Sequence, residues 1–164
     1  MKKSPVLPWL AHAMRFAGCC LICGSAVAFI AMNQGARLQD AQFFYWQRYF
    51  VDGVVSVATL PGIWLFFAGS LLCWLCQRTK KTLLLAVMAL LVVINSQCFI
   101  IPLSKQASML AFQTSRAEPV AAAFMTAKTG EDRLGAVNGG LLLGYLAIYL
   151  LWREKAKTGL SSTP

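Results

Sequence analysis

The sequence predicts an all-α polytopic membrane protein, a four-transmembrane-helix bundle with a partly helical second outer loop. The 164-residue chain is 58% hydrophobic and only 13% charged, whereas about a quarter of the residues in a soluble domain are charged. Four apolar runs are also each close to the ~20 residues that cross a hydrocarbon core as a helix. Helices satisfy their backbone polar groups within one segment, so these runs are expected to be helices and not strands.

The predicted spans cover residues 16–32, 53–76, 83–103 and 134–152. With their loops they use the whole chain, so residues 1–164 are predicted to form a single transmembrane domain. Pro61-Gly62 lies in the second span and is expected to kink or loosen that helix. The first span has an alternative interpretation as a cleaved signal peptide, because basic residues precede it and Ala26-Val27-Ala28 fits a cleavage site.

The basic residues predict the orientation of the bundle in the membrane. With both termini inside, nine of the 15 Lys and Arg residues lie in short inner segments and six in longer outer loops. This bias favours cytoplasmic N and C termini. The net charge of +9 forms no continuous basic face along the chain, so no nucleic-acid partner is expected. The inner set is Lys2, Lys3, Arg15, Arg78, Lys80, Lys81, Arg153, Lys155 and Lys157, and the outer set is Arg37, Arg48, Lys105, Arg116, Lys128 and Arg133.

The second outer loop, residues 104–133, is rich in Ala, Met and Gln and contains few turn residues. We therefore expect helical extensions above the membrane in this segment. Thr129-Gly130-Glu131-Asp132 is interpreted as the N-terminal cap of the fourth span, with acids in the first helical turn.

Polar side chains in three spans fall at one level, in the predicted outer half. One hypothesis is a small pocket that opens outward and binds a polar head group or small ligand. The alternative is that these groups hydrogen-bond between helices and hold the bundle together. The residues concerned are Ser56, Thr59, Asn95, Gln97 and Asn138.

Two thiol pairs, Cys20/Cys23 and Cys73/Cys76, fall near the inner ends of the first and second spans. Residues three apart share a helix face, so four thiols can converge there, and thiolates suit Cu(I), zinc or iron–sulfur chemistry. The alternative is that they are small apolar packing residues. The spacing matches no zinc ribbon, and no metal or cofactor is expected. His12 is the single histidine, which excludes a haem held between two histidines of one chain.

Small residues four apart occur in the fourth span, at Gly135/Gly139 and Gly140/Gly144, and in the first span at Gly24/Ala28. Such spacing lets helix backbones approach closely. These glycines are expected either to pack the bundle or to form the contact with a second copy or another membrane protein.

Four short motifs resemble a known family: Trp9-Leu10-Ala11-His12, Arg48-Tyr49-Phe50-Val51-Asp52, Leu60-Pro61-Gly62 and Ile101-Pro102-Leu103. Together they resemble small bacterial four-helix integral membrane proteins of unknown function, a family distantly similar to the membrane domain of copper-resistance protein D. The resemblance implies the four-helix membrane fold. That domain is associated with copper handling, for which we would expect additional histidines and Met-rich outer loops that this sequence lacks.

The predicted spans contain no Asp or Glu, and the chain has neither a GxxxxGK[ST] nor a GxGxxG motif. We therefore expect a small non-enzymatic inner-membrane protein, an accessory or binding component. One alternative is a metal- or redox-handling protein that uses the inner Cys pairs. Another is an oligomeric transport component.

Overall fold

The computed structural model of the protein describes residues 6–35, 41–114 and 122–152, which form an all-α bundle without strands in these ranges. Seven basic residues used to predict the orientation lie outside them: Lys2, Lys3, Arg37, Arg116, Arg153, Lys155 and Lys157. The helices are α1 (Val6–Gly35), α2 (Ala41–Val54), α3 (Leu60–Gln77), α4 (Lys80–Asn95), α5 (Ile101–Thr114) and α6 (Ala122–Leu151).

Four helical stretches are long and apolar enough to cross a membrane, which confirms the predicted fold class. Helices α2 and α3 belong to one stretch, and α4 and α5 to another. All four begin before the predicted spans, and the fourth begins at Ala123 and not at residue 134. The stretches are Val6–Met32, Trp46–Gln77, Lys80–Ala111 and Ala123–Leu151.

A wide π-helical turn precedes a proline in each of the two middle stretches. The turns are Val55–Thr59 and Ser96–Ile100, directly before Leu60-Pro61 and Ile101-Pro102. In each turn the N–H of the residue before proline donates to a carbonyl five residues back. Proline has no N–H and its ring crowds the carbonyl four residues back, so a widened turn accommodates it without ending the helix. The loosening predicted at Pro61 therefore occurs in the turn before it.

Helix α1 packs against α3 through glycines on both helices. A Cβ atom on Gly18 would lie 2.5 Å from the backbone nitrogen of Phe66. Cβ atoms on Gly62 and Gly69 would lie 2.8 Å from α1 atoms. The two backbones therefore approach as closely as small residues allow. Gly24, one of the predicted small residues, faces open space and takes no part in this contact.

The core lies where α3, α4 and α6 meet, around Phe66, Leu85, Ala89 and Tyr145. A second cluster joins α5 to α6 through Ala107, Ala111, Phe124 and Ala127. Large apolar side chains elsewhere point outward, as expected where lipid replaces water. Examples are Phe16, Val57 and Leu143, which are 73%, 78% and 69% exposed.

The predicted cap at Thr129 is wrong, because α6 begins at Ala122 and passes through this residue. The Thr129 hydroxyl donates to the Met125 carbonyl, 2.7 Å away, within the same helix. The segment after the predicted third span is helical as expected, since α5 continues to Thr114. Residues 115–121, between α5 and α6, lie outside the described part of the chain.

The turn between α3 and α4 is closed by local polar contacts. Arg78 adopts a left-handed conformation with φ 50°. Thr79 and Thr82 then form a reciprocal capping box at the start of α4. Lys81 donates to the carbonyls of Tyr149 and Trp152, at 2.9 and 2.8 Å, and so caps the end of α6.

We expect Gly18→Ala to lower the free energy of unfolding by about 1–3 kcal/mol, because the new methyl group meets backbone atoms that cannot rotate away. Gly24→Ala is the matched control on the same helix, and it should be neutral or slightly stabilising. Thermal unfolding in detergent, followed by tryptophan fluorescence, compares the two variants. Equal stability of both would contradict the close α1–α3 contact.

A candidate ligand-binding cleft

A cleft of about 480 Å³ lies between α1 and α6. Helix α1 packs on α3, and α6 packs on α4 and α5. Across the described residues, no Cα atoms of α1 and α6 come within 8 Å of each other. The α2–α3 and α4–α5 stretches form the floor of the cleft. Its volume lies in the range of small-molecule sites, roughly 300–1,000 Å³.

The walls of the cleft are apolar over most of its length. Along α6 the lining extends from Lys128 to Leu142, which is about 20 Å at 1.5 Å per residue. Apolar lining residues include Ile22 and Phe29 of α1, Leu60 and Ile63 of α3, and Val92 of α4. At one end the lining becomes polar and charged, with Gln47, Arg48, Lys128, Glu131 and Asp132.

The guanidinium of Arg48 lies at the centre of the charged end. Its side chain is only 3% exposed, and Nη1 is 2.9 Å from Oε2 of Glu131. Nη2 donates to the carbonyl and hydroxyl oxygens of Ser104, at 2.9 and 3.0 Å. Nε donates to the Ser108 hydroxyl, at 3.3 Å. All three guanidinium nitrogens are therefore engaged, and they join α2 to α5 and α6.

Asp52 completes the set that we call the Arg48 network: Arg48, Asp52, Ser104, Ser108 and Glu131. The Ser108 hydroxyl accepts from Arg48 and donates to Oδ1 of Asp52, at 3.0 Å. One buried cation thus contacts one carboxylate directly and a second through a hydroxyl. This arrangement compensates the buried charge, which is costly when unpaired.

A second ion pair lies one helical turn away on α6. Lys128 Nζ is 3.1 Å from Oδ1 and 3.2 Å from Oδ2 of Asp132. The Lys128 side chain is 18% exposed and that of Asp132 is 58% exposed. A partly exposed pair four residues apart contributes little stability, and Asp132 remains accessible to other partners.

The two π-helical turns supply polar groups further along the cleft. Thr59 of the first turn and Ser96 of the second both line it. Asn138 of α6 also lines it and donates to the Ser96 hydroxyl, at 2.8 Å. Asn95 donates to Oδ1 of Asn138 at 2.8 Å and to the Leu134 carbonyl at 3.0 Å. These amides therefore join α4 to α6.

The structure brings together some of the polar residues predicted to bind a ligand. Thr59 and Asn138 line the cleft, and Asn95 contacts Asn138 from behind. Ser56 is exposed and donates to the Asp52 carbonyl within its own helix, at 2.8 Å. Gln97 is partly buried and is not among the lining residues. Asn138 both lines the cleft and forms interhelical hydrogen bonds, so the two interpretations of these polar residues are not exclusive.

The four candidate thiols do not form a metal-binding group. Cys20 and Cys23 are exposed, whereas Cys73 is buried and Cys76 is partly buried. In the described part of the chain, no three His, Cys, Asp or Glu side chains are placed to hold a metal ion. The physical reason is that Cys73 points into the α1–α3 contact while Cys20 and Cys23 face outward.

Arg15 bridges α1 and α6 at the end of the bundle opposite Arg48. Its Nη1 donates to the Cys73 sulfur, at 3.3 Å. The guanidinium carbon lies 5.4 Å from the ring centre of Tyr145 and 4.8 Å from that of Tyr149. These distances permit cation–π attraction. Because the Tyr145 hydroxyl also hydrogen-bonds with the Ser70 hydroxyl of α3, at 2.9 Å, the bridge is connected to the core.

The glycines of α6 have different surroundings. Gly144 packs against α4, since a Cβ there would lie 2.9 Å from Met88 Cε. Gly135 and Gly139 line the cleft, and Gly140 faces outward. A Cβ on any of these three would meet nothing within 4 Å. Packing within the chain therefore accounts for Gly144 alone among the predicted set.

The sequence predicts Arg48 and Lys128 as outer basic residues and Glu131 as part of a helix cap. It did not predict the Arg48 network. One indication was present, because Arg48/Asp52 and Ser104/Ser108 are both four residues apart and so share a helix face. Nothing local indicates that these two faces meet, since the residues that hydrogen-bond between them are 56 or more positions apart.

No family model matches the chain, and comparisons with curated proteins and with solved structures also find no match.

We expect Arg48→Met to lower the free energy of unfolding by about 3–5 kcal/mol, because Glu131 is left as an uncompensated, mostly buried charge. Adding Glu131→Gln should restore part of this loss. Lys128→Met removes the exposed pair and should cost no more than about 1 kcal/mol. Chemical unfolding of the four proteins, wild type included, provides the comparison. A loss for Arg48→Met no larger than that for Lys128→Met would show that the network does not stabilise the fold.

Proposed function

We propose that this chain is a small, non-enzymatic protein of a bacterial inner membrane that binds an amphipathic small molecule in the cleft between α1 and α6. It would act as a binding or accessory component. The observation that carries the proposal is the distribution of the lining, which is apolar for most of its length and charged at one end. An amphipathic molecule matches this distribution, with its tail along the helices and its head at the charged end.

Aromatic residues beside Arg48 indicate how deep in the membrane the charged end of the cleft would lie. Trp46 and Tyr49 are 63% and 65% exposed and lie edge to face, with ring centres 6.3 Å apart. Exposed Trp and Tyr are enriched where a membrane meets water. The Arg48 network would therefore lie at the level of the lipid head groups, and the apolar part of the cleft would extend into the bilayer.

The proposed orientation places the Arg48 end outside and both termini in the cytoplasm. The turn between α3 and α4 carries Arg78, Lys80 and Lys81, and it lies at the opposite, Arg15 end of the bundle. Enrichment of positive residues on the cytoplasmic side supports this assignment. The tight packing of α1 on α3 favours retention of the first span over its removal as a signal peptide.

The proposal assigns no catalytic residue. Arg48 is engaged by Glu131 and two serines, which suits a structural and recognition role. Membership of the small bacterial four-helix family stays a proposal, supported by the arrangement of four long apolar helices.

Gly139→Leu tests the cleft directly. The new side chain should fill the apolar section without a backbone clash, because a Cβ at Gly139 meets nothing within 4 Å. Native mass spectrometry of protein released from gently solubilised membranes should show an amphipathic molecule on the wild type at about one copy per chain. That adduct should be lost from Gly139→Leu.

Gly140→Leu is the matched control, because Gly140 has equally open space but does not line the cleft. This variant should keep the adduct. Identical adducts on all three proteins, or a wild type that carries none, would overturn the proposed function.

A fluorescent protein fused after Pro164 tests the orientation. We expect it to fluoresce, because green fluorescent protein matures in the cytoplasm and the proposed C terminus is cytoplasmic. Alkaline phosphatase fused at the same position should be inactive, since it needs an oxidising compartment for its disulfides. The opposite pattern would show an inverted bundle or an odd number of spans.

A further inference from the structure

We propose that the head group recognised at the charged end is zwitterionic, and that the occupant is a zwitterionic phospholipid with one acyl chain in the cleft. This inference rests on the proposed function and specifies its ligand. Three features support it: lateral access from the bilayer, balanced charge at the rim, and unused bonding capacity on the charged groups.

Access is lateral because the cleft separates two helices that share no close backbone contact. Gly135 and Gly139 leave the α6 side of the cleft open because they have no side chains, and a Cβ at either position would meet nothing within 4 Å. The apolar section therefore faces the acyl chains of the surrounding bilayer. Beyond the charged end, from Asp132 to Leu142, it extends about 15 Å along α6, about one leaflet of a hydrocarbon core about 30 Å thick. A single lipid chain can enter sideways and lie between α1 and α6.

Charge at the rim is balanced. Two cations, Arg48 and Lys128, line the charged end together with two anions, Glu131 and Asp132. A lipid with a purely anionic head would meet both carboxylates, and a purely cationic one would meet both basic groups. A head that carries an ammonium and a phosphate presents one charge to each kind of partner. An uncharged head would form hydrogen bonds in which only the protein group is ionised, whereas both groups are ionised in each contact of the zwitterion.

The charged groups keep capacity for such a head. A lysine ammonium has three donors and a carboxylate has about four acceptor sites. Lys128 contacts the two oxygens of Asp132, which leaves a third donor for a phosphate oxygen. Asp132 is 58% exposed and can accept from an ammonium as well. Arg48, whose three nitrogens are all engaged, would act by holding Glu131 in place.

The test is a competition among three probes that share one acyl chain and differ only in the head. Delipidated full-length protein in detergent receives equal amounts of palmitoyl lysophosphatidylethanolamine, palmitate and monopalmitoylglycerol, and native mass spectrometry measures what binds. We expect the wild type to prefer the zwitterionic probe about tenfold, the size of one charge-assisted hydrogen bond.

Asp132→Asn and Lys128→Gln should each reduce that preference about tenfold by removing one of the two partners. Arg133→Gln is the matched control, because Arg133 is an exposed charge on the same helix that does not line the cleft. It should bind as the wild type does. Unchanged preference in both Asp132→Asn and Lys128→Gln would overturn the assignment of the head group.

Failure of this inference and failure of the proposed function give different results. Equal binding of the three probes by the wild type, abolished by Gly139→Leu, would reject the zwitterionic head but keep the cleft as a binding site. Preference for palmitate would reject it in favour of an anionic ligand. Binding that Gly139→Leu leaves unchanged, or no binding of any probe, would reject both.

Discussion

Burial of the Arg48 guanidinium is the constraint on which the rest of the structure depends. A guanidinium cannot lose its charge in a protein, so every buried donor needs an acceptor. Those acceptors come from two other helices, through Ser104 and Ser108 of α5 and Glu131 of α6. This requirement draws α2, α5 and α6 together at one end of the bundle. It also accounts for two serines whose hydroxyls point inward and not to lipid.

A different interaction positions α1. Close backbone contact at Gly18, Gly62 and Gly69 holds it on α3, and the Arg15 side chain extends from it to α6. The Arg48 network keeps α6 against α5, and the glycines keep α1 against α3. The cleft between α1 and α6 results from these two attachments. The cleft is charged at the end beside the Arg48 network, because that network needs polar partners. It is mostly apolar elsewhere.

Pro61 and Pro102 also affect the lining of the cleft. Each lies inside a membrane-length helix and is accommodated by a π-helical turn before it, Val55–Thr59 and Ser96–Ile100. These turns point Thr59 and Ser96 into the cleft. Backbone irregularity within membrane helices is tolerated where it faces protein or a cavity. A local steric requirement of proline thus places polar groups in the cleft away from its charged end.

The sequence by itself determined the number and order of the membrane-length helices but not where they begin, because apolarity is a property of one segment. It also indicated polar groups near one level, of which Thr59 and Asn138 line the cleft. Only the tertiary structure decided the pairing of Arg48 with Glu131, 83 residues apart, and the choice of Gly18 over Gly24 for close packing. Both depend on how helices rotate and which neighbours they meet. Neither produces a periodic pattern in the sequence. Glu131 was therefore interpreted as part of a helix cap, although it pairs with the buried Arg48.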